Sequence, residues 1–133
     1  MKGTVLDASA LLAMFFGQKG MEQVRDLFHK AAETDRALMI GAVNWAEVLY
    51  KSEQKKGTEG LETAQRFERT MPLDVVPVDR ELAEAAAHLK ILHGLGLADA
   101  LAAALAIARK AELVTGDTEF KLLEKEVKIA WLS

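Results

Sequence analysis

The sequence predicts an α/β protein, a three-layer sandwich in which a mostly parallel five-stranded sheet carries helices on both faces. Three observations lead to this prediction. Five short apolar runs alternate with segments of helical periodicity. No repeat, low-complexity segment or linker interrupts the alternation. The length of 133 residues suits one domain, 1–133, since single domains commonly have roughly 100–150 residues.

The strands are predicted at short apolar or β-branched runs. In chain order they cover residues 3–6, 37–40, 75–78, 112–115 and 127–131. Asp7 ends the first run and Gly41 the second. Pro77 predicts an edge position for the third, because proline is tolerated at the edge of a sheet rather than in its centre. Gly116 and Asp117 stop the fourth run, and the fifth lies close to the end of the sequence.

The helices are predicted where apolar residues recur at steps of three and four. In chain order they cover residues 8–16, 21–31, 42–56, 58–70, 79–92, 97–110 and 120–124. Gly57 is the stop signal between the third and fourth helices, and Met71-Pro72 ends the fourth. Asp79 is a suitable N-cap for the fifth. The sixth, 97–110, is the most alanine-rich segment of the chain.

Composition excludes some classes of function. The chain has 20 acidic and 17 basic residues, a formal net charge of -3, which by itself argues against a polybasic nucleic-acid binder. Cysteine is absent, so disulfides, thiolate metal sites and cysteine nucleophiles are excluded. Asp7 and Asp99 interrupt the two longest apolar stretches, which argues against a signal peptide and a membrane span and predicts a cytoplasmic protein without a membrane partner.

Four acidic residues stand in unusual places. Asp7 and Asp117 end apolar strands, Asp99 interrupts an apolar helix, and Glu47 lies beside Trp45 on another helix. Each has an ordinary structural explanation. The aspartates after the strands can cap helices. Asp99 can interact favourably with the positive end of its helix dipole. Glu47 can form an ion pair with the lysine four residues further along the helix.

Together the four acids favour a different interpretation. Carboxylates that converge at one edge of a sheet repel each other unless a cation neutralises them. Oxygen ligands without cysteine or histidine favour Mg²⁺ or Mn²⁺ over zinc. Such ions bind phosphate oxygens, so phosphodiester chemistry is the expected use. Without the four acids the chain has 16 acidic residues against 17 basic ones, so the negative charge is no argument against nucleic acid.

Four motifs in register resemble the PIN-domain nucleases, in particular the VapC-type toxins of toxin–antitoxin pairs. They are Val5-Leu6-Asp7-Ala8-Ser9, Asn44-Trp45-Ala46-Glu47, Leu97-Ala98-Asp99-Ala100 and Thr115-Gly116-Asp117-Thr118-Glu119-Phe120. The resemblance covers essentially the whole chain. It implies a PIN-like parallel sheet in which the first and fourth strands are neighbours.

The resemblance also implies the residues of a site and the partners. Asp7, Glu47, Asp99 and Asp117 match the family's acidic quartet, which holds one or two Mg²⁺ or Mn²⁺ ions and cleaves RNA by metal-activated water. The supporting positions match Ser9, Asn44 and Thr115. The implied partners are an RNA substrate, a VapB-type antitoxin bound at the helical pair around Gly57, and a second copy of the chain in a homodimer.

Several alternatives stay open on the sequence. Asp99 and Glu47 are both candidates for orienting the attacking water, whereas Asp7 and Asp117 are expected to be direct ligands. A receiver-like signalling domain also gathers aspartates around Mg²⁺, although it would carry paired acids after its first strand. A PIN nuclease that works without an antitoxin is the third hypothesis.

Overall fold

A computed structural model describes residues 3–133; Met1 and Lys2 of the predicted domain 1–133 lie outside the described residues. Strands and helices alternate along the chain, as predicted. They are β1 (Thr4–Leu6), α1 (Ala8–Phe15), α2 (Met21–Thr34), β2 (Leu38–Gly41), α3 (Ala42–Thr70), β3 (Leu73–Val76), α4 (Arg80–His93), α5 (Leu97–Arg109), β4 (Glu112–Thr115), a 3₁₀ helix (Thr118–Leu123) and β5 (Ile129–Trp131).

The five strands form one parallel sheet in the order β3-β2-β1-β4-β5. From β1 the chain adds β2 and β3 on one side and β4 and β5 on the other, so the winding direction reverses between β1 and β4. Leu6 pairs with Val114 in the register of these two strands. Connections that leave neighbouring strands in opposite directions open a crevice at their carboxyl ends, where α/β proteins bind ligands.

Helices cover both faces of the sheet, which confirms the predicted three-layer sandwich. Successive strand residues point to opposite faces, so Val5 packs with the core of α4 and α5 while Leu6 packs with the core of α1, α2 and α3. Helix α5 is buried from Ala100 to Ala106. Its small side chains allow it to pack closely between the sheet and α4, which accounts for the alanine-rich sequence.

Helix α3 is broken where the sequence predicts a stop. Gly57 has φ 65° and ψ -155°, a backbone conformation that is essentially restricted to glycine, and Lys56 is also non-helical. The two predicted helices 42–56 and 58–70 are therefore the two arms of α3. A second glycine allows the arms to lie close together, because a Cβ on Gly60 would clash with the carbonyl oxygen of Ser52.

Some predicted boundaries are wrong by a few residues. The third strand covers Leu73–Val76 and ends before Pro77, because β2 is paired with those four residues; its predicted edge position is confirmed. The last strand begins at Ile129 rather than at Val127, since the Val127 amide still donates to the Leu123 carbonyl. The predicted helix at 120–124 is a 3₁₀ helix that begins at Thr118.

Among residues 3–133, no single helix has the length and apolar character needed to cross a membrane. Helices α4 and α5 reach that length and composition only as a pair bent by 117°.

Candidate metal centre

The candidate site lies at the carboxyl ends of β1 and β4, where the winding direction reverses. Asp7 directly follows β1, and its backbone amide donates to the carbonyl oxygen of Val114 on β4 over 3.3 Å. Asp117 comes two residues after β4. The prediction that β1 and β4 are neighbours is confirmed, and their pairing brings these two acids to one edge of the sheet.

Asp7 is the most buried acid of the site, with 3 % of its surface exposed. Its Oδ1 accepts from the Ala10 amide at 3.0 Å, so Asp7 caps α1. This agrees with the capping role considered from the sequence. The same oxygen accepts from the Ser9 hydroxyl at 2.7 Å, and Oδ2 accepts from the Thr115 hydroxyl at 2.5 Å. Burial raises the pKa of Asp7, and these three hydrogen bonds oppose the rise.

Thr115 and Ser9 connect the two strand ends. The Asp117 amide donates to the Thr115 hydroxyl oxygen at 2.9 Å, and the Gly116 amide donates to the Ser9 hydroxyl oxygen at 3.1 Å. Asp117 in turn accepts from the Glu119 amide at 2.9 Å and caps the 3₁₀ helix. The turn after β4 is thus tied to the start of α1, and the carboxylates of Asp7 and Asp117 are fixed relative to each other.

Asp99 reaches the same edge from the first turn of α5. Carboxylate oxygens of Asp99, Asp117 and Glu119, one from each residue, lie within 4.8 Å of one another. Burial of Asp99, reinforced by the charges of Asp117 and Asp7, raises the pKa of Asp99 to about 7. A hydrogen bond with Glu119 contributes in the same direction, since it stabilises the protonated form of Asp99.

Glu47 lies apart from this three-residue cluster. It projects from the first arm of α3 and forms an ion pair with Lys51 at 2.8 Å, which is the surface pairing considered from the sequence. A cleft of about 730 Å³, hereafter the site cleft, connects it with the cluster, because Glu47, Ser9 and Asp117 all line its wall.

Asn44 joins the two helices that carry Glu47 and Asp99. Its Nδ2 donates to the carbonyl oxygen of Ala98 at 3.2 Å, directly before Asp99. Its buried Oδ1 has no hydrogen-bond partner among the described residues. Asn44 therefore links the start of α5 to the start of α3.

The donor set fits a divalent cation. Three carboxylates from two elements converge within 4.8 Å, and the raised pKa of Asp99 reflects the repulsion between them. Hard oxygen donors without sulfur or imidazole suit Mg²⁺ or Mn²⁺. Asp99, Asp117 and Glu119 could thus hold such an ion, with the hydrogen-bonded carboxylate of Asp7 nearby.

The sequence reasoning missed Glu119 as a member of the cluster. It stands two residues after Asp117 in the 3₁₀ helix and belongs to the fourth of the motifs shared with the PIN-domain nucleases. The available signal was the spacing, because a tight turn directly after a strand brings the side chains of residues i and i+2 to the same edge.

Comparison with known proteins identifies the family. The family model for the PIN domain matches residues 4–126. The chain belongs to the PIN-domain family. The same comparison places the motifs of Asp7 and Asp117 within the matched part of this PIN domain. A search of curated proteins finds no match.

Solved structures share the fold. This PIN domain is similar, at 18% identity and a TM-score of 0.76, to a chain of VapBC2 from Rickettsia felis bound to a promoter DNA fragment, with 98% of each chain covered. A chain of DNA-bound VapBC from Salmonella typhimurium gives 20% identity, a TM-score of 0.76 and 98% of each chain. The toxin VapC20 of Mycobacterium tuberculosis, which cleaves the sarcin-ricin loop, gives 16% identity and a TM-score of 0.72, covering 90% of this chain and 93% of that one.

The fold argues against the receiver-like alternative. Flavodoxin-like domains order their strands 2-1-3-4-5, so that the first strand neighbours the second and third. In this chain β1 lies between β2 and β4 instead.

Proposed function

We propose that this protein is a metal-dependent endoribonuclease that acts as the toxin of a toxin–antitoxin pair. The observation that carries the proposal is the acidic cluster at the carboxyl ends of β1 and β4 of a PIN domain. The site is built for a hard divalent ion and opens into the site cleft, which leaves room for a phosphodiester. The proposed setting is the cytoplasm.

The roles of the residues follow from their positions. Asp7, Asp99 and Asp117 would hold Mg²⁺ or Mn²⁺, with Glu119 as a further ligand. When bound, the ion would supply positive charge that lowers the pKa of water and offsets negative charge on the phosphate. Ser9 and Thr115 keep the Asp7 carboxylate in one orientation through their hydroxyl groups.

Asp99 and Glu47 remain the two candidates for orienting the attacking water. Asp99 sits within the cluster and exchanges a proton near neutral pH, whereas Glu47 faces the cleft and is held by Lys51. Asn44 would act as a positioning residue for both through its bond to the Ala98 carbonyl.

The test of the nuclease activity uses purified protein and total RNA. We expect cleavage with Mg²⁺ or Mn²⁺ and none with EDTA, and sequencing of the new ends should show defined cut sites. Absence of cleavage in every metal condition and with every RNA tried would contradict the proposal.

Variants connect this activity with the cluster. Asp7→Asn should abolish cleavage without unfolding the protein, because the side-chain oxygen of asparagine can still accept from the Ala10 amide and a buried charge is removed. Asp74→Asn, at an exposed acid of β3, is the matched control and should retain full activity. Circular dichroism and thermal melting show whether each variant is folded.

An antitoxin of the VapB type is the proposed partner. Two of the structural relatives are VapBC complexes, and the broken helix α3 of this chain leaves a cavity of about 370 Å³ beside the break. Its lining includes Phe15, Phe16, Gly60 and Ala64, which would receive apolar side chains of a peptide. We also propose a homodimer.

Co-expression with a small gene that lies directly upstream tests whether its product is the proposed antitoxin. We expect a stable complex whose RNA cleavage is inhibited, and light scattering of the isolated toxin should give twice the chain mass of 14.5 kDa. If no upstream partner exists and the active protein is harmless to cells, the protein is instead a PIN nuclease without an antitoxin.

A further inference from the structure

The site cleft is lined by three lysines in addition to its acids. Lys19 enters from the loop between α1 and α2, and Lys51 and Lys55 enter from the first arm of α3. Among the described residues that line the cleft, Glu47 and Asp117 are the only acids. Glu47 is paired with Lys51 and Asp117 belongs to the acidic cluster, so Lys19 and Lys55 leave the remaining charge along the cleft positive.

Two of the three lysines follow one line along α3. Glu47, Lys51 and Lys55 recur every four residues on one face of α3, so each step moves about 6 Å along the helix axis away from the acidic end. This spacing is similar to the separation of consecutive phosphates along a nucleic-acid strand. Lys19 lines the same cleft from the loop between α1 and α2.

Two of the cations are available to a ligand. Among the described residues Lys19 and Lys55 form no ion pair, whereas Lys51 is paired with Glu47. Lys55 is also held in place, because its Nζ lies 4.6 Å from the ring centroid of Phe16, within the range of a cation–π interaction. A cation that is positioned without an acidic partner loses little freedom when it binds phosphate.

The other walls suit a single nucleic-acid strand. Gln18 and Gln54 offer amide groups that can donate or accept, and Phe16 offers partly exposed aromatic surface on which a base can stack. A cleft of about 730 Å³ is of the size that encloses one drug-sized ligand, so a few nucleotides of a single strand fit it better than a duplex.

We infer that Lys19, Lys51 and Lys55 form a phosphate-binding track that leads a single RNA strand along the site cleft to the acidic cluster. This inference rests on the proposed nuclease function and adds the residues that position its substrate. A nucleic acid is favoured over an acidic protein segment because the track ends at carboxylates suited to a metal-bound phosphate. The lysines on this track are positioning residues that contact the flanking phosphates.

The test measures binding separately from cleavage. A short fluorescent 2′-O-methyl RNA strand is titrated with the full chain in Ca²⁺ at several KCl concentrations, and gels after each titration verify that the strand is intact. Lys19→Gln and Lys55→Gln should each weaken binding several-fold. Each should also lower the slope of log affinity against log salt by about 0.7, the value for one phosphate contact on a single strand.

Lys30→Gln is the matched control, because Lys30 is an exposed lysine of α2 that lines a cavity beside Gly3 and Thr4 at the amino end of β1, away from the cleft. It should leave both affinity and slope unchanged. Unchanged slopes in Lys19→Gln and Lys55→Gln would overturn the track. So would lysine-dependent binding of a poly-glutamate peptide without lysine-dependent binding of RNA.

The outcomes separate this inference from the proposed function. Metal-dependent cleavage by the wild type together with unchanged slopes would leave the nuclease intact and reject the track. The expected slopes without cleavage of any RNA would support the track and reject the nuclease. A duplex of the same sequence should bind more weakly than the single strand, and equal binding would contradict the single-strand assignment.

Discussion

At the scale of single residues, the same side chains serve as helix caps and as candidate site residues. Asp7 caps α1 and also accepts from the Thr115 hydroxyl on the neighbouring strand, and Asp117 caps the 3₁₀ helix while its carboxylate joins the cluster. The two explanations that the sequence left as competitors are thus compatible. A cap fixes a carboxylate at the edge of the sheet where a cation needs it.

Removing the Thr115 hydroxyl tests how strongly this arrangement is held. Thr115→Val keeps the shape of the side chain but removes a hydrogen-bond donor to the buried Asp7 carboxylate. We therefore expect a loss of about 1–3 kcal/mol in the free energy of unfolding. It should also raise the pKa of Asp7 further, because this hydrogen bond lowers it. Urea denaturation measures the loss. Thr70→Val, at an exposed helical threonine, is the control, and equal losses in both variants would contradict the argument.

At the scale of secondary-structure elements, glycine positions determine how α3 folds back on itself. The sequence predicts a stop at Gly57, and the structure shows why the stop requires glycine, since its φ and ψ lie outside the left-handed region that asparagine tolerates. Gly94 at the end of α4 has φ 70° and ψ 22°, which lies within that region. The cavity proposed for the antitoxin lies beside the break and therefore depends on Gly57.

The two glycines provide a matched pair of substitutions. Gly57→Asn should lower the free energy of unfolding by about 1–3 kcal/mol, because asparagine has no unstrained backbone conformation there. Gly94→Asn should cost less, because asparagine adopts the left-handed conformation readily. Urea denaturation of both variants compares them, and a larger loss at Gly94 than at Gly57 would show that the break does not need glycine.

The elements also show which part of the fold was predictable. All five strands and the break in α3 follow from local signals in the sequence. The boundaries that were wrong, at Pro77 and Val127, depend on which residues a neighbouring strand or turn pairs with. Pairing is a tertiary property, so periodicity alone cannot give it.

At the scale of the whole molecule, we expect the acidic cluster to make the free energy of unfolding depend on pH and on divalent cations. The folded protein raises the pKa of Asp99 from 3.8 to about 7, so the folded state binds a proton that the unfolded state releases. Without metal, stability should therefore fall as the pH rises from 3.8 to about 7 and then level off. A divalent ion that binds only the folded state should restore the lost stability.

Thermal melting across this pH range, in EDTA and in Mn²⁺, tests the dependence. In EDTA, Asp99→Asn should melt above the wild type at neutral pH, and the difference should shrink towards pH 3.8, where the unfolded carboxyl also becomes protonated. Mn²⁺ should raise the melting temperature of the wild type more than that of the variant. Parallel melting curves for the two proteins at all pH values would contradict the role of Asp99, and Asp74→Asn controls for the loss of one surface charge.

The sequence by itself determined the layer architecture, the neighbouring positions of β1 and β4 through the family resemblance, and the four unusual acids. The layers and the unusual acids follow from local composition, because alternating apolar runs and carboxylates within or after apolar segments are visible along the chain; the strand neighbourhood follows from the resemblance alone. Only the tertiary structure decided which carboxylates meet. It places Glu119 with Asp99 and Asp117, and it leaves Glu47 outside this cluster, paired with Lys51 in the lining of the cleft. The reason is physical: distances between side chains on different elements depend on strand register and helix packing.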